Sequence, residues 1–352
     1  MSLAVTRTAP RFIPVLIALA LTGAACASAQ SFPIQRVRRS NVVVLPGANG
    51  FVNPLTGITT FSPQPWQRRR VLAVKIGNSS AERPQSGLDR ADVVYEELVE
   101  GGITRFMALF LTNSVDRIGP VRSVRTVDPD IAESYHALFA YSGGVPPVVA
   151  RLHAASNITD VGADVSVDAF HRDSARSMPY NLYTSTDALW AGHAGSPPDP
   201  QFAFLPTSVD PSKTGAVANH LKFSFGNGSD EVRFEYNATS GLYERFTAGV
   251  PHLVEHPGQN QQLAFRNVIV EIVHVVADGY LDPAGNPTNT ITIVGSGAAV
   301  FFRAGRAVRG HWNRSTREEP MHYTDDSGQR IAVAPGNTIV EMLPEGQSVF
   351  VT

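Results

Sequence analysis

The sequence predicts an α/β or α+β N-terminal domain followed by a mostly antiparallel β C-terminal domain. Three observations lead there. Between residues 71 and 205, short apolar runs alternate with stretches of helical character. Beyond residue 221 the segments are closely spaced, alternating or β-branched, and glycine-containing turns separate several of them. Between the two lies 206–221, polar, small and proline-containing, which reads as a linker. A chain of 352 residues has room for two domains of ordinary size.

The elements follow in order. Arg7 and Arg11 precede an apolar run over 12–21, and small residues continue to Ala29, so 1–29 reads as an export signal. The run is too short to span a membrane. Ala27-Ser28-Ala29 suits cleavage before Gln30, and Cys26 follows small residues as a lipidated cysteine would, although Gly23 stands where an aliphatic residue is usual. Lipid attachment at Cys26 and simple removal of the signal both remain open. Cys26 is the sole cysteine, so the folded part has neither a disulfide framework nor a thiol nucleophile. Residues 30–70 lack periodicity and read as a tether. Strands are expected at 71–76, 91–98, 104–111, 139–142 and 165–170, with helices at 129–138 and 148–155. In the second half, 232–236 and 242–246 form a hairpin candidate and 267–276 a central strand. Further strands are expected at 290–294, 298–303, 306–312, 330–334, 338–343 and 348–351.

The formal net charge of −2 carries no basic stripe of the kind a nucleic-acid partner requires. Charge is instead segregated within 93–130. Glu96, Glu97 and Glu100 end in Gly101-Gly102, and after an apolar strand Gly119-Pro120 leads to Arg122 and Arg125, then Asp128 and Asp130. Neighbours on a strand point to opposite faces, so Glu96 and Glu97 cannot share one. Arg105, Arg122 and Arg125 with Lys75 are the leading ligand-binding candidates, because a guanidinium holds carboxylate or phosphate through paired hydrogen bonds. The helix opening after Gly143-Gly144 would add free N–H groups. The competing reading is a structural network in which these cations pair with Glu96, Glu97, Glu100 and Asp128. Asp92, Glu97, Glu100 and Asp128 also stand as candidates for a divalent cation or an acid–base pair.

Other motifs carry less. Ala140-Tyr141-Ser142-Gly143-Gly144 is a degraded nucleophile elbow with His136, His153 and His171 near it in sequence; a tight glycine turn is the simpler reading. Arg172, Asp173, Arg176, Asn181 and Tyr183 form a polar loop, either a second wall of the pocket or a loop pinned by its own hydrogen bonds. His252, Glu255 and His256 are too few for a zinc site and read as surface residues. Trp312 with His311 and Arg314 either stacks on a sugar or packs at a rim. No cofactor, metal or catalytic residue is identified.

The segments AVKIGN at 73–78, RPQSGL at 83–88, ADVVYEELVEGGITRF at 91–106, IGPVRSVR at 118–125 and RDSARSMPYNLY at 172–183 resemble the YerB-like family of bacterial exported lipoproteins. YERFTAGVPH at 243–252 and NVIVEIV at 267–273 extend the resemblance into the second half. It implies two adjacent domains at 71–205 and 222–352, usually at the outer face of the membrane, and supplies no reaction. Through these segments Asn78, Arg83, Arg172 and Asn181 join the candidate site. Residues 101–128 and 136–144 also loosely follow the cadence of envelope glycopolymer ligases of the LytR-CpsA-Psr type, but their Pro-Arg-Asp core is absent. The expectation is an exported cell-envelope protein, lipid-anchored or released, that binds an anionic or peptidoglycan-related envelope component. The alternative is an enzyme acting on cell-wall glycopolymer.

Overall fold

Runs such as 71–74, 106–111 and 267–273 are apolar at nearly every position, and a strand of that kind must be covered on both faces. The computed structural model describes residues 50–226 and 228–352. The expected export signal, Cys26 and the expected tether up to residue 49 lie outside them. Eight strands position the charged residues: β1 (Leu72–Gly77), β2 (Val93–Leu98), β3 (Thr104–Phe110), β4 (Leu138–Ala140), β5 (Asn267–Leu281), β6 (Gly295–Arg303), β7 (Arg306–Arg314) and β8 (Thr338–Pro344). Their spatial order is β7-β6-β5-β8-β2-β3-β1-β4, within one twelve-stranded sheet.

That order joins the two halves of the sequence. β8 from the second half lies parallel to β2 from the first, with Thr338 opposite Val93 and Glu341 opposite Glu96. β5 is also parallel to β8, so the parallel core straddles the seam, while β5-β6-β7 run antiparallel. One face carries Ala73, Tyr95, Met107, Ile269 and Met342, and is covered by Ile131, Tyr135, Val148 and Leu152. The other carries Val74, Val94, Phe106, Val268 and Ile339. A second antiparallel sheet built on His220–Ser224, Glu231–Asn237 and Leu242–Thr247 covers it with Leu221, Phe223, Phe234 and Tyr243. The molecule is β-rich. Among the described residues, α-helix is confined to three short segments, Asp128–Ala132, Pro146–Ala154 and Thr186–Trp190.

Several expected elements change. The helix expected at 129–138 is Asp128–Ala132 followed by one 3-10 turn, Glu133–Tyr135; His136 then adopts a left-handed conformation that stops it. The strand expected at 165–170 is a 3-10 turn, Val167–Ala169, with pairing only from Phe170–Arg172, because Val165 and Val167 have no partner strand and stay exposed. The stretch read as tether enters the core at two points: Leu55 is fully buried and Trp66 nearly so. Within 206–221, Ala216–Val217 pairs with β7, and Ala218 and Leu221 are buried.

Candidate functional site

Five charged side chains sit inside the central apolar strands β1, β2, β3 and β8, and β2 divides them. Glu97 shares a face with Tyr95, and Glu96 the opposite face with Val94, as strand alternation demands. On the Glu97 face, Lys75 Nζ contacts Glu97 Oε1 and donates to Asp128 Oδ1 at 2.7 Å; all three side chains are essentially inaccessible to solvent. Asp128 Oδ2 accepts the Arg125 backbone N–H at 2.6 Å, which fixes the turn entering the helix. Glu100 receives Arg125 Nε at 2.7 Å and a second nitrogen of the same guanidinium, together with Arg105 at 3.2 Å. Arg105 also donates to the Ser123 carbonyl at 2.9 Å. At the rim, Arg122 Nε lies 2.8 Å from Glu82 Oε1, its guanidinium donates to the Pro179 carbonyl at 3.0 Å, and Tyr180 lies beside it. Glu82 reaches this place because Gly77 has no side chain: a Cβ there would lie 2.1 Å from the carboxyl carbon.

Four cations (Lys75, Arg105, Arg122, Arg125) thus meet four carboxyls (Glu82, Glu97, Glu100, Asp128). The balance is uneven locally. Burial, and then the Asp128 charge, push the Glu97 carboxyl up to about 7 against the pull of Lys75. Burial and then the Arg122 charge push Arg105 down to about 10, and its Nε has no hydrogen-bond partner. The hairpin of β5 and Pro287–Thr292 flanks the cluster: Thr126 donates to Asp278 Oδ2 at 2.6 Å, and Asp278 and Asp282 act favourably on Arg125.

On the Glu96 face a different group forms. Arg245 from Leu242–Thr247 lies fully buried between Glu96 and Glu341, at 2.6 Å from an oxygen of each. Glu96 Oε1 also accepts Asn78 Nδ2 at 2.9 Å and Thr104 Oγ1 at 2.6 Å. Burial, and then the neighbouring Glu96 charge, push the Glu341 carboxyl well above the usual range. Gln85 links Asn78 to His252, which also bonds Thr247. His252 is therefore no surface residue: it is 1 % exposed, and burial followed by the Arg245 charge keeps it neutral.

Of the residues singled out from sequence, Lys75, Glu97, Glu100, Arg105, Arg122, Arg125 and Asp128 come together. Asn78 belongs to the opposite face. Arg83 pairs with Asp230 at 2.7 Å on the surface. Arg172 bonds Asn181 at 2.8 Å, and Asn181 bonds the Asp173 and Arg176 carbonyls, so the two pin their own loop. The helix after Gly143-Gly144 offers no free donors in its first turn: Pro146 and Pro147 have none, and the Val148 and Val149 N–H groups bond the Val145 carbonyl. Among the described residues no hydrogen bond joins Ser142 to a histidine; His153 pairs with Asp160 at 2.7 Å. Trp312 is buried with its indole N–H on the Ile272 carbonyl, so no ligand can stack there. Glu82, Arg245 and Glu341 were not anticipated. For Glu341 a signal existed, a lone carboxylate in the apolar run 338–343.

Residues 55–198 match the family described as "Protein of unknown function (DUF3048) N-terminal domain", and residues 221–340 match its C-terminal domain. The chain is 28% identical over 298 residues to the protein named "Putative lipoprotein YerB" of Bacillus subtilis (strain 168), covering 83% of this chain and 86% of that one. It also resembles the crystal structure of YerB protein from Bacillus subtilis, with a TM-score of 0.71 and 25% identity over 85% of this chain and 99% of that one. The chain is homologous to YerB and belongs to the two-domain YerB-like family.

Proposed function

We propose that this chain is an exported protein held at the cell envelope, and that it binds an anionic envelope ligand, a phosphate or carboxylate, at the arginine cluster. In this reading the N-terminal half is an α/β scaffold that presents Arg122 at the rim, with Arg105 and Arg125 behind it. The observation that carries it is the crowding of guanidinium groups around Arg105. That side chain is 3 % exposed, repelled by Arg122 and short of a partner at Nε. A buried cation in that state gains from an added anion. Arg122 is the reachable member, with 17 % of its side chain exposed. Among the described residues, no helix is long and apolar enough to cross a membrane, so attachment would come from the segment before residue 50.

A second reading, an enzyme acting on cell-wall glycopolymer, is favoured by Glu97. A carboxyl held at about 7 between Lys75 and Asp128 can exchange a proton near neutral pH. Both readings are tested by thermal unfolding of the full chain with inorganic phosphate, pyrophosphate or citrate, wild type beside Arg122→Ala. A ligand that binds only the folded state at a hundred times its Kd adds about 2.7 kcal/mol of stability. The expected result is a rise in Tm that Arg122→Ala abolishes. No rise for any probe, with Arg122→Ala itself melting lower, would mean that the arginines serve the fold alone.

A further inference from the structure

Outside the arginine cluster, the least satisfied surface is the hairpin at the start of the described chain. Phe51–Val52 pairs with Thr59–Thr60. Four large apolar side chains on it face water: Phe51 at 37 %, Val52 at 52 %, Ile58 at 48 % and Phe61 at 76 %. They are not the loose end of a flexible strand. Between them Asn53 is buried, its Oδ1 accepts the N–H groups of Leu55 and Thr56, and its Nδ2 donates to Thr112 at 2.9 Å. Leu55 sits in the core with no exposure, and Gly57, left-handed, packs under Phe204. The loop is riveted to the body while its flanks expose apolar side chains on both faces of the ribbon, Val52 and Phe61 on one and Phe51 on the other. Phe61 also lies over Gly50, the point where the preceding chain emerges.

Charge sorts the same way. From residue 30 to residue 70 there are six arginines and no acidic residue, whereas residues 71–352 hold twenty-one basic and thirty-one acidic side chains. Arg69 and Arg70 are engaged in the fold, on Ser114 and on the His136 carbonyl, while Arg68 is exposed, and Arg36, Arg38 and Arg39 precede the hairpin in sequence. An apolar hairpin within a basic stretch of sequence that carries no acidic residue matches a bilayer whose headgroups are anionic.

We infer that the hairpin 50–61 is a membrane-docking surface that inserts Phe61 and Val52, which share one face of the ribbon, between anionic phospholipid headgroups, holding the folded body at the bilayer. The inference rests on the reading of the chain as envelope-held and is independent of the arginine cluster. Were Cys26 the anchored residue, the two dozen residues from it to Gly50 would span at most about 80–90 Å. A tethered body needs only modest intrinsic affinity to dock, because its effective concentration at the surface is high.

Cys26 is the sole cysteine, which permits a clean test. In the full chain carrying Cys26→Ser, Phe61→Cys is labelled with an environment-sensitive fluorophore, and Phe350→Cys, exposed elsewhere, serves as control. On adding phosphatidylglycerol–phosphatidylethanolamine vesicles, the label at 61 should shift to the blue and be quenched by brominated acyl chains, while the label at 350 stays in water. The effect should weaken in high salt or with phosphatidylcholine alone, and adding Val52→Ser, on the same face as position 61, should lower the partitioning of the label about ten-fold. Two results would overturn the inference. One is a label at 61 that remains in water with vesicles present. The other is a label already in an apolar setting before vesicles are added: if this is independent of concentration, the preceding segment of the chain covers the hairpin, and if it depends on concentration, a second copy does.

Discussion

The two faces of β2 hold charge in opposite ways. Around Glu97 four cations meet four carboxyls, and the group reaches solvent through Arg122. Around Glu96 one guanidinium serves two carboxyls with no solvent at all, and burial together with the Glu96 charge favours the neutral form of Glu341. The lesson is that buried charge need not mean a binding site. Both faces leave a guanidinium Nε without a hydrogen-bond partner, Arg245 on the sealed face and Arg105 on the rim face. What separates them is access: Arg245 and its two carboxyls are fully buried, whereas Arg122 brings the rim group to solvent. Only the second arrangement can be reached by a ligand.

The largest effect should come from breaking the sealed face. Arg245→Met leaves two carboxyls buried without a cation and should destabilise the fold by about 3–5 kcal/mol, read by denaturant unfolding. Glu341→Gln in the same place should change stability by less than about 1 kcal/mol, because burial and Glu96 favour the neutral form of the native carboxyl and Gln matches it in shape. If the two variants cost the same, Glu341 is ionised and the contrast between the faces fails. On the rim face, Lys75→Met should cost about 2–3 kcal/mol, less than Arg245→Met, since Glu97 can take up a proton when its partner leaves. Gly77→Ala should cost about 1–3 kcal/mol, because the new Cβ drives Glu82 off and frees Arg122 from its rim contact. That variant should also bind anionic probes differently from wild type, whereas Glu341→Gln should not.

The pH dependence has a definite sign. Glu97 and Glu271 are raised from 4.5 to about 7, so the folded state binds protons that the unfolded state has released. The stability these groups add is therefore full below about 4.5 and is lost as pH rises towards 7, at a slope of at most about 1.4 kcal/mol per pH unit for each group. Glu97→Gln should flatten its share of the slope in urea titrations repeated across that range. A stability that rises over the same window in wild type and is unaffected by the variant would contradict the assignment.

Much of the rim face was legible because charged residues in apolar strands are conspicuous. Lys75, Glu97, Arg105, Arg125 and Asp128 all lie within 75–128, close enough in sequence to be read as one group. Pro146 and Pro147 were visible too, and they already argued against free donors at that helix start. The sealed face was not legible. Glu96, Arg245 and Glu341 come from three distant segments, and only the parallel pairing of β8 with β2 brings two of them side by side. Pairing across a seam leaves no local trace in sequence, whereas alternation along one strand does; that is why the division of Glu96 from Glu97 could be foreseen and the identity of Glu96's partner could not. The helix expected at 129–138 was overextended because nothing in its composition announces the left-handed His136.

The measurement that tests the central claim most directly is calorimetric titration of the full chain with inorganic sulfate, an oxyanion with no proton to exchange at pH 7, in buffers of different ionisation enthalpy. An anion seated beside Arg105 and Arg122 raises the Glu97 carboxyl further above about 7, so binding should take up a fraction of a proton. That uptake should vanish in Glu97→Gln while binding persists, and binding itself should be lost in Arg122→Ala. Binding that takes up no proton, or that survives Arg122→Ala unchanged, would place the anion somewhere other than the arginine cluster and contradict the account.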